Sequence, residues 1–130
     1  MASWPELVGY VRSNYKIADE SPNMIKMIFN TEGLRSQIVF LWRQQLMNGT
    51  EEWVQIESPF GDAGSVDLGQ ALREVGDVVC GGAAVTDDVV LLRHSVPLAN
   101  LDINEFERPL ILVTATADKL EKTLVGGDTY

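Results

Sequence analysis

Apolar residues recur at helical spacing at the start of the chain: Trp4, Leu7, Val8, Val11 and Tyr15. Ser3 and Glu6 supply a capping box and Pro5 is tolerated in the first turn, so a helix is predicted from about Trp4 to Tyr15. The pattern then changes. Asp19-Glu20-Ser21-Pro22-Asn23 reads as a turn, and residues 24–58 read as a meander of three strands. The first covers Met24 to Phe29. Asn30-Thr31-Glu32-Gly33 turns the chain into a long second strand, Leu34 to Leu46. The third follows the Met47-Asn48-Gly49 segment.

The register of that second hairpin decides which residues share a face. A two-residue Asn48-Gly49 turn pairs Met47 with Thr50 and puts Val54 and Ile56 beside Arg43 and Leu41. A three-residue Met47–Gly49 loop pairs Leu46 with Thr50, so Trp42 meets Val54 and Phe40 meets Ile56. The stronger apolar pairing favours the three-residue loop. One sheet face then carries Ile25, Met27, Phe29, Ile38, Phe40, Trp42, Val54 and Ile56. The other carries Ile28, Val39, Leu41 and Trp53, ringed by Lys26, Gln37, Arg43, Gln55 and Glu57.

After the Ser58–Ser65 loop, Asp67 and Gln70 signal a helix over 67–79 with the stripe Leu68, Ala71, Leu72, Val75 and Val79. Cys80-Gly81-Gly82 ends it. Ala83–Thr86 and Val89–Val96 form a hairpin through Asp87-Asp88. Asn104 and Glu107 are expected to cap the last helix, 104–124, whose stripe is Phe106, Leu110, Val113, Ala117, Leu120 and Leu124. Pro109 lies inside it and predicts a kink or a late start. Residues 126–130 are expected to form a flexible tail. The predicted fold is α+β: an antiparallel sheet, made of a three-strand meander and a two-strand hairpin, with three helices in the order α-β-β-β-α-β-β-α, as one domain over residues 1–125.

Charge narrows the partners. The net charge is −9 over 130 residues, which argues against nucleic acid or an anionic membrane as a partner. A single Cys cannot form an internal disulfide, and no signal segment or membrane span is visible, so a cytoplasmic location is expected.

The chemical inventory is thin. His94 shares a strand face with Val90, Leu92 and Val96, and Cys80 follows Val78-Val79. Each reads more simply as a packed residue than as a nucleophile or base, which needs a positioned partner. Glu51-Glu52 and Asp87-Asp88 sit at turns and point different ways. No metal-ligand or phosphate-loop spacing appears, so no cofactor, no metal and no catalytic residue is expected.

Three segments carry a family resemblance: Asp67-Leu68-Gly69-Gln70-Ala71-Leu72, Val89-Val90-Leu91-Leu92-Arg93-His94-Ser95-Val96-Pro97-Leu98 and Ala117-Asp118-Lys119-Leu120-Glu121-Lys122-Thr123-Leu124. Together with the element order they resemble the YbjN-like family, which is grouped with the type III secretion chaperones. The resemblance implies a compact α+β fold, homodimerisation, and protein or peptide binding without catalysis.

The contact surface is expected around Ile28, Val39, Leu41, Arg43 and Trp53, with Phe60 as a second contact in its loop. The same patch could instead be covered by a helix as core, or hold a dimer together. Three functions compete: a protein- or peptide-binding, chaperone-like homodimer that holds an extended partner segment, a small-ligand sensor or regulator with its ligand between sheet and helix, and a small hydrolase or thiol enzyme using Cys80, for which the residues offer little.

Overall fold

The computed structural model describes residues 2–126 and 130. The chain runs α1 (Trp4–Asn14), β1 (Ile17–Ser21), β2 (Met24–Asn30), β3 (Ser36–Leu46), β4 (Glu51–Asp62), α2 (Leu68–Val75), β5 (Gly82–Thr86), β6 (Val89–Pro97) and α3 (Ile103–Leu124). The six strands form one antiparallel sheet in the order β1-β2-β3-β4-β6-β5. The α+β class stands. The meander gains a strand at its start, so the order becomes α-β-β-β-β-α-β-β-α. The expected tail lies largely outside the described residues, which omit 127–129.

The added strand, β1, occupies the segment whose composition reads as a turn. Only Pro22-Asn23 turn. Asp19, Glu20 and Ser21 pair with Lys26, Ile25 and Met24 at the sheet edge. An edge strand with four exposed residues has no apolar alternation to betray it, and its acids discourage further pairing.

Each helix start follows its cap. Ser3 Oγ accepts from the Glu6 backbone N–H at 3.3 Å. The last helix starts earlier than Asn104 because Asp102 is the cap: its Oδ1 accepts from Asn104 N and Glu105 N, and Glu105 Oε1 accepts from Asp102 N in return. Pro109 lies within α3 without ending it. α2 stops at Val75, well short of residue 79.

The hairpin between β3 and β4 corrects the expected register. Leu41 pairs with Ile56, Arg43 with Val54, Trp42 with Gln55 and Leu46 with Glu51. That is the register of the two-residue turn. The connection itself spans Met47–Thr50, and Met47, Asn48 and Gly49 all adopt positive φ (53°, 57° and 84°), the last two as the central residues of an Asn-Gly turn need. The slip exchanges the faces of β3 relative to both neighbours.

Ile25, Met27, Val39, Leu41, Val54, Ile56 and Leu92 therefore point one way, into a core shared with Trp4, Leu7 and Val11 of α1 and Phe106, Leu110 and Val113 of α3. The helices meet over that core: Tyr10 packs edge-on against Phe106 with ring centroids 6.5 Å apart. Tyr15 Oη donates to Glu107, and Trp4 Nε1 donates to the Pro22 carbonyl at 3.0 Å.

β4 bends at Phe60. Pro59 pairs with Leu91 and Gly61 with Val90, which leaves Phe60 as the extra residue of a bulge. Phe60 is in phase with Ile56 and Ser58, so its ring points into the core, fully buried, and the bulge brings Gly61 instead of Phe60 opposite Val90. Gln37 staples it: Nε2 donates to Ser58 Oγ at 2.8 Å and to the Pro59 carbonyl at 2.6 Å. A Cβ at residue 61 would stand 2.3 Å from Val66 Cγ2, so glycine lets the next loop close over the bend.

Candidate functional site

Paired residues on neighbouring antiparallel strands share a face, so the register fixes the surface opposite the core. Met24, Trp42, Gln55 and Ser95 form one row across β2, β3, β4 and β6. Lys26, Phe40, Glu57 and Arg93 form the next, and Gln44, Trp53 and Pro97 flank the first. Ile28 and Ile38 pair beyond the second row. None of these residues belongs to the contiguous core. The three helices take their buried residues from the other side, so this face is open.

The open face is apolar in the middle. Phe40 and Trp42 are stacked, centroids 6.0 Å apart at an interplanar angle of 24°. Ile28 is 50% exposed. Trp42, Phe40, Ile38 and Trp53 are half-buried by their strand neighbours. Leu91 and Pro59 are buried here without joining the core cluster. Polar groups frame the β6 side: Arg93 Nε donates to Glu57 Oε2 at 2.6 Å and Arg93 Nη2 to Thr86 Oγ1 at 3.2 Å. Trp53 Nε1 donates to Glu51 Oε1 at 3.1 Å. An aromatic centre with a polar margin is the anatomy of a protein contact surface.

The six expected contact residues separate. Ile28 and Trp53 lie on the open face. Val39, Leu41 and Phe60 are 0% exposed and belong to the core. They were placed on the surface by the one-residue slip, and, for Phe60, by reading a bulge as a loop. Arg43 lies on the core side, opposite Val54 instead of Trp53. It sits at the margin, where its Nε donates to Glu52 Oε2 at 3.0 Å. That hydrogen bond holds the Glu52 carboxyl below its ordinary value. Phe40 and Trp42 were assigned to the core by the same slip, and they are the residues of the open face that sequence reasoning missed.

The candidate chemical residues do not converge. His94 stands opposite Ile56 at the core margin. Cys80 is buried, and burial pushes its thiol up. Its thiolate fraction at pH 7 is therefore smaller than that of a free cysteine. Cys80 is expected to react markedly more slowly with an aromatic disulfide reagent in the native protein than in urea. Equal rates would show that it is exposed. Among the described residues, no group of three or more His, Cys, Asp or Glu side chains is placed to hold a metal ion.

Among the described residues no helix is long and apolar enough to cross a membrane. No family model, curated protein or solved structure matches the chain.

Proposed function

We propose that the chain is a non-catalytic, cytoplasmic protein-binding module of the YbjN-like and secretion-chaperone kind, a homodimer that holds an extended segment of a partner across its open sheet face. The observation that carries this reading is the stacked Phe40–Trp42 pair with Trp53 and Ile28 on a face that, among the described residues, no helix covers. A solvated sheet face ordinarily alternates to polar residues. Here the alternation gives a second apolar surface.

The outer strands support the dimer. β1 is guarded by Asp19 and Glu20. β5, Gly82-Ala83-Ala84-Val85-Thr86, carries no charge and has Leu72 exposed nearby across a small apolar cleft. An uncharged edge accepts another strand readily.

The test is selection from a displayed library of short random segments by wild type and by the double variant Trp42→Asp/Trp53→Asp, with light scattering on both. Wild type is expected to enrich a common apolar pattern that the folded variant does not retain. Equal enrichment by both would refute the open face as the binding surface. A scattering mass of one 14.4 kDa chain would remove the dimer.

A further inference from the structure

A groove of about 970 Å³ lies on the helix side of the sheet, between α3 and the turn from β2 to β3. Its size is that of small-molecule sites, which span about 300–1,000 Å³. It is separate from the open face and owes nothing to the reading above. We propose that this groove binds a free aliphatic carboxylate: one hydrocarbon chain with one anionic head.

The pattern along α3 carries the proposal. The stripe from Phe106 to Leu120 is spent on the core. A second stripe, Ile111, Ala115, Lys119 and Lys122, follows at steps of four, four and three residues and lines the groove. It changes character along its length, apolar at Ile111 and Ala115 and basic at Lys119 and Lys122. At 1.5 Å per residue, the stripe is about 16 Å long. Ile111 is half exposed although it is a large aliphatic residue.

The opposite wall agrees. Phe29 forms the apolar part, its ring held edge-on by Tyr15 with centroids 5.8 Å apart. Thr31 lines the same wall, and its Oγ1 is buried without a hydrogen-bond partner.

The charges select the sign of the head. Asp118 also lines the groove but is bonded to Arg35 Nε at 3.0 Å. Glu32, on the turn, is the remaining acid. Neither Lys119 nor Lys122 takes part in an ion pair among the described residues. Two uncommitted cations therefore face one carboxylate in a chain of net charge −9. A ligand with an apolar tail and an anionic head matches both ends of the stripe.

The experiment is calorimetric titration of the full chain with dodecanoate below its micelle concentration, beside dodecyltrimethylammonium. Wild type is expected to bind dodecanoate and to prefer it over the cation. Ala115→Trp fills the groove from an exposed helix position and is expected to abolish binding. Ile111→Asp serves the same end if the first variant does not fold. Lys119→Glu/Lys122→Glu is expected to weaken dodecanoate by about tenfold, the equivalent of two modest surface ion pairs. Trp42→Asp is expected to bind as wild type does, because that residue belongs to the other face. The proposal is overturned if wild type takes up no dodecanoate, if the cation binds as well, if the folded Ala115→Trp or Ile111→Asp variant binds unchanged, or if Trp42→Asp removes binding.

Discussion

Leu41→Asp is expected to leave the chain unfolded at 25 °C, while Trp42→Asp, one residue further along β3, stays folded. Leu41 is fully buried, between Ile25 and Ile56 on the core side. Removing a buried leucine side chain costs about 2–5 kcal/mol. The substitution also places a carboxyl in an apolar site, which adds at least the roughly 1–3 kcal/mol of burying a neutral polar group unpartnered. The sum is comparable to the whole stability of a domain this size, about 5–15 kcal/mol.

Trp42 points the other way. Its loss removes one stacked pair, about 0.5–1.5 kcal/mol, and replaces a good strand residue by a poor one at a cost of about 1 kcal/mol. Urea unfolding followed by far-UV circular dichroism separates the two cases. A cooperative transition shifted modestly is expected for Trp42→Asp, and none for Leu41→Asp. If Trp42→Asp were equally disruptive, the face would be structural.

Arg35→Met is expected to cost about 3 kcal/mol, the lower end for breaking a buried ion pair by deleting one partner. Arg35 stands just before β3, with its side chain 18% exposed. It reaches α3, donating to Asp118 at 3.0 Å and to Glu121 at 3.3 Å. Glu121 is fully buried and also accepts the Tyr130 backbone N–H at 3.0 Å. Without the guanidinium, two carboxylates one turn apart share a site of low polarity. The triple variant Arg35→Met/Asp118→Asn/Glu121→Gln is expected to regain most of the loss, because the penalty is that of uncompensated charge and not of lost packing. Urea midpoints measure both. A triple variant no more stable than the single one would locate the cost in packing.

The first and last helices were the most legible part of the chain, whereas the α2 stripe failed: the helix ends at Val75 and Leu68, Leu72 and Val79 are exposed. A 3.6-residue stripe and a cap are local signals, and the stripe of α3 went where its spacing pointed. The error in its start came from two overlapping capping signals two residues apart, of which the aspartate won. The sheet was legible in class and strand sequence but not in facing. β3 has apolar residues on both sides, Ile38, Phe40 and Trp42 against Val39 and Leu41, so alternation could not choose between them. Choosing by apolar pairing sent the aromatics inward. The Asn48-Gly49 turn held the contrary information, and its twist preference fixed the register. The helices then cover the smaller aliphatic side chains and leave the rings outside.

β1 was invisible because an edge strand needs no apolar face. Phe60 was misplaced because Pro59 and Gly61 read as loop residues, whereas β4 continues through them to Asp62 and keeps Phe60 in phase with Ile56. The α3–turn groove was equally beyond reach: its lysines are separated from Phe29 and Thr31 by most of the chain, and only the fold brings them together. Trp53 and Ile28 were placed on the outer face under either register, since neither belongs to the strand that slipped against them.

The open face is tested most directly by titrating ¹⁵N-labelled protein with a segment selected by the wild type and mapping the backbone amide shifts. The account predicts that the shifted amides cluster on the open-face side of β2, β3 and β4, around Ile28, Phe40, Trp42 and Trp53. Shifts confined to α2 or to the groove beside α3, with those strands unmoved, would contradict it.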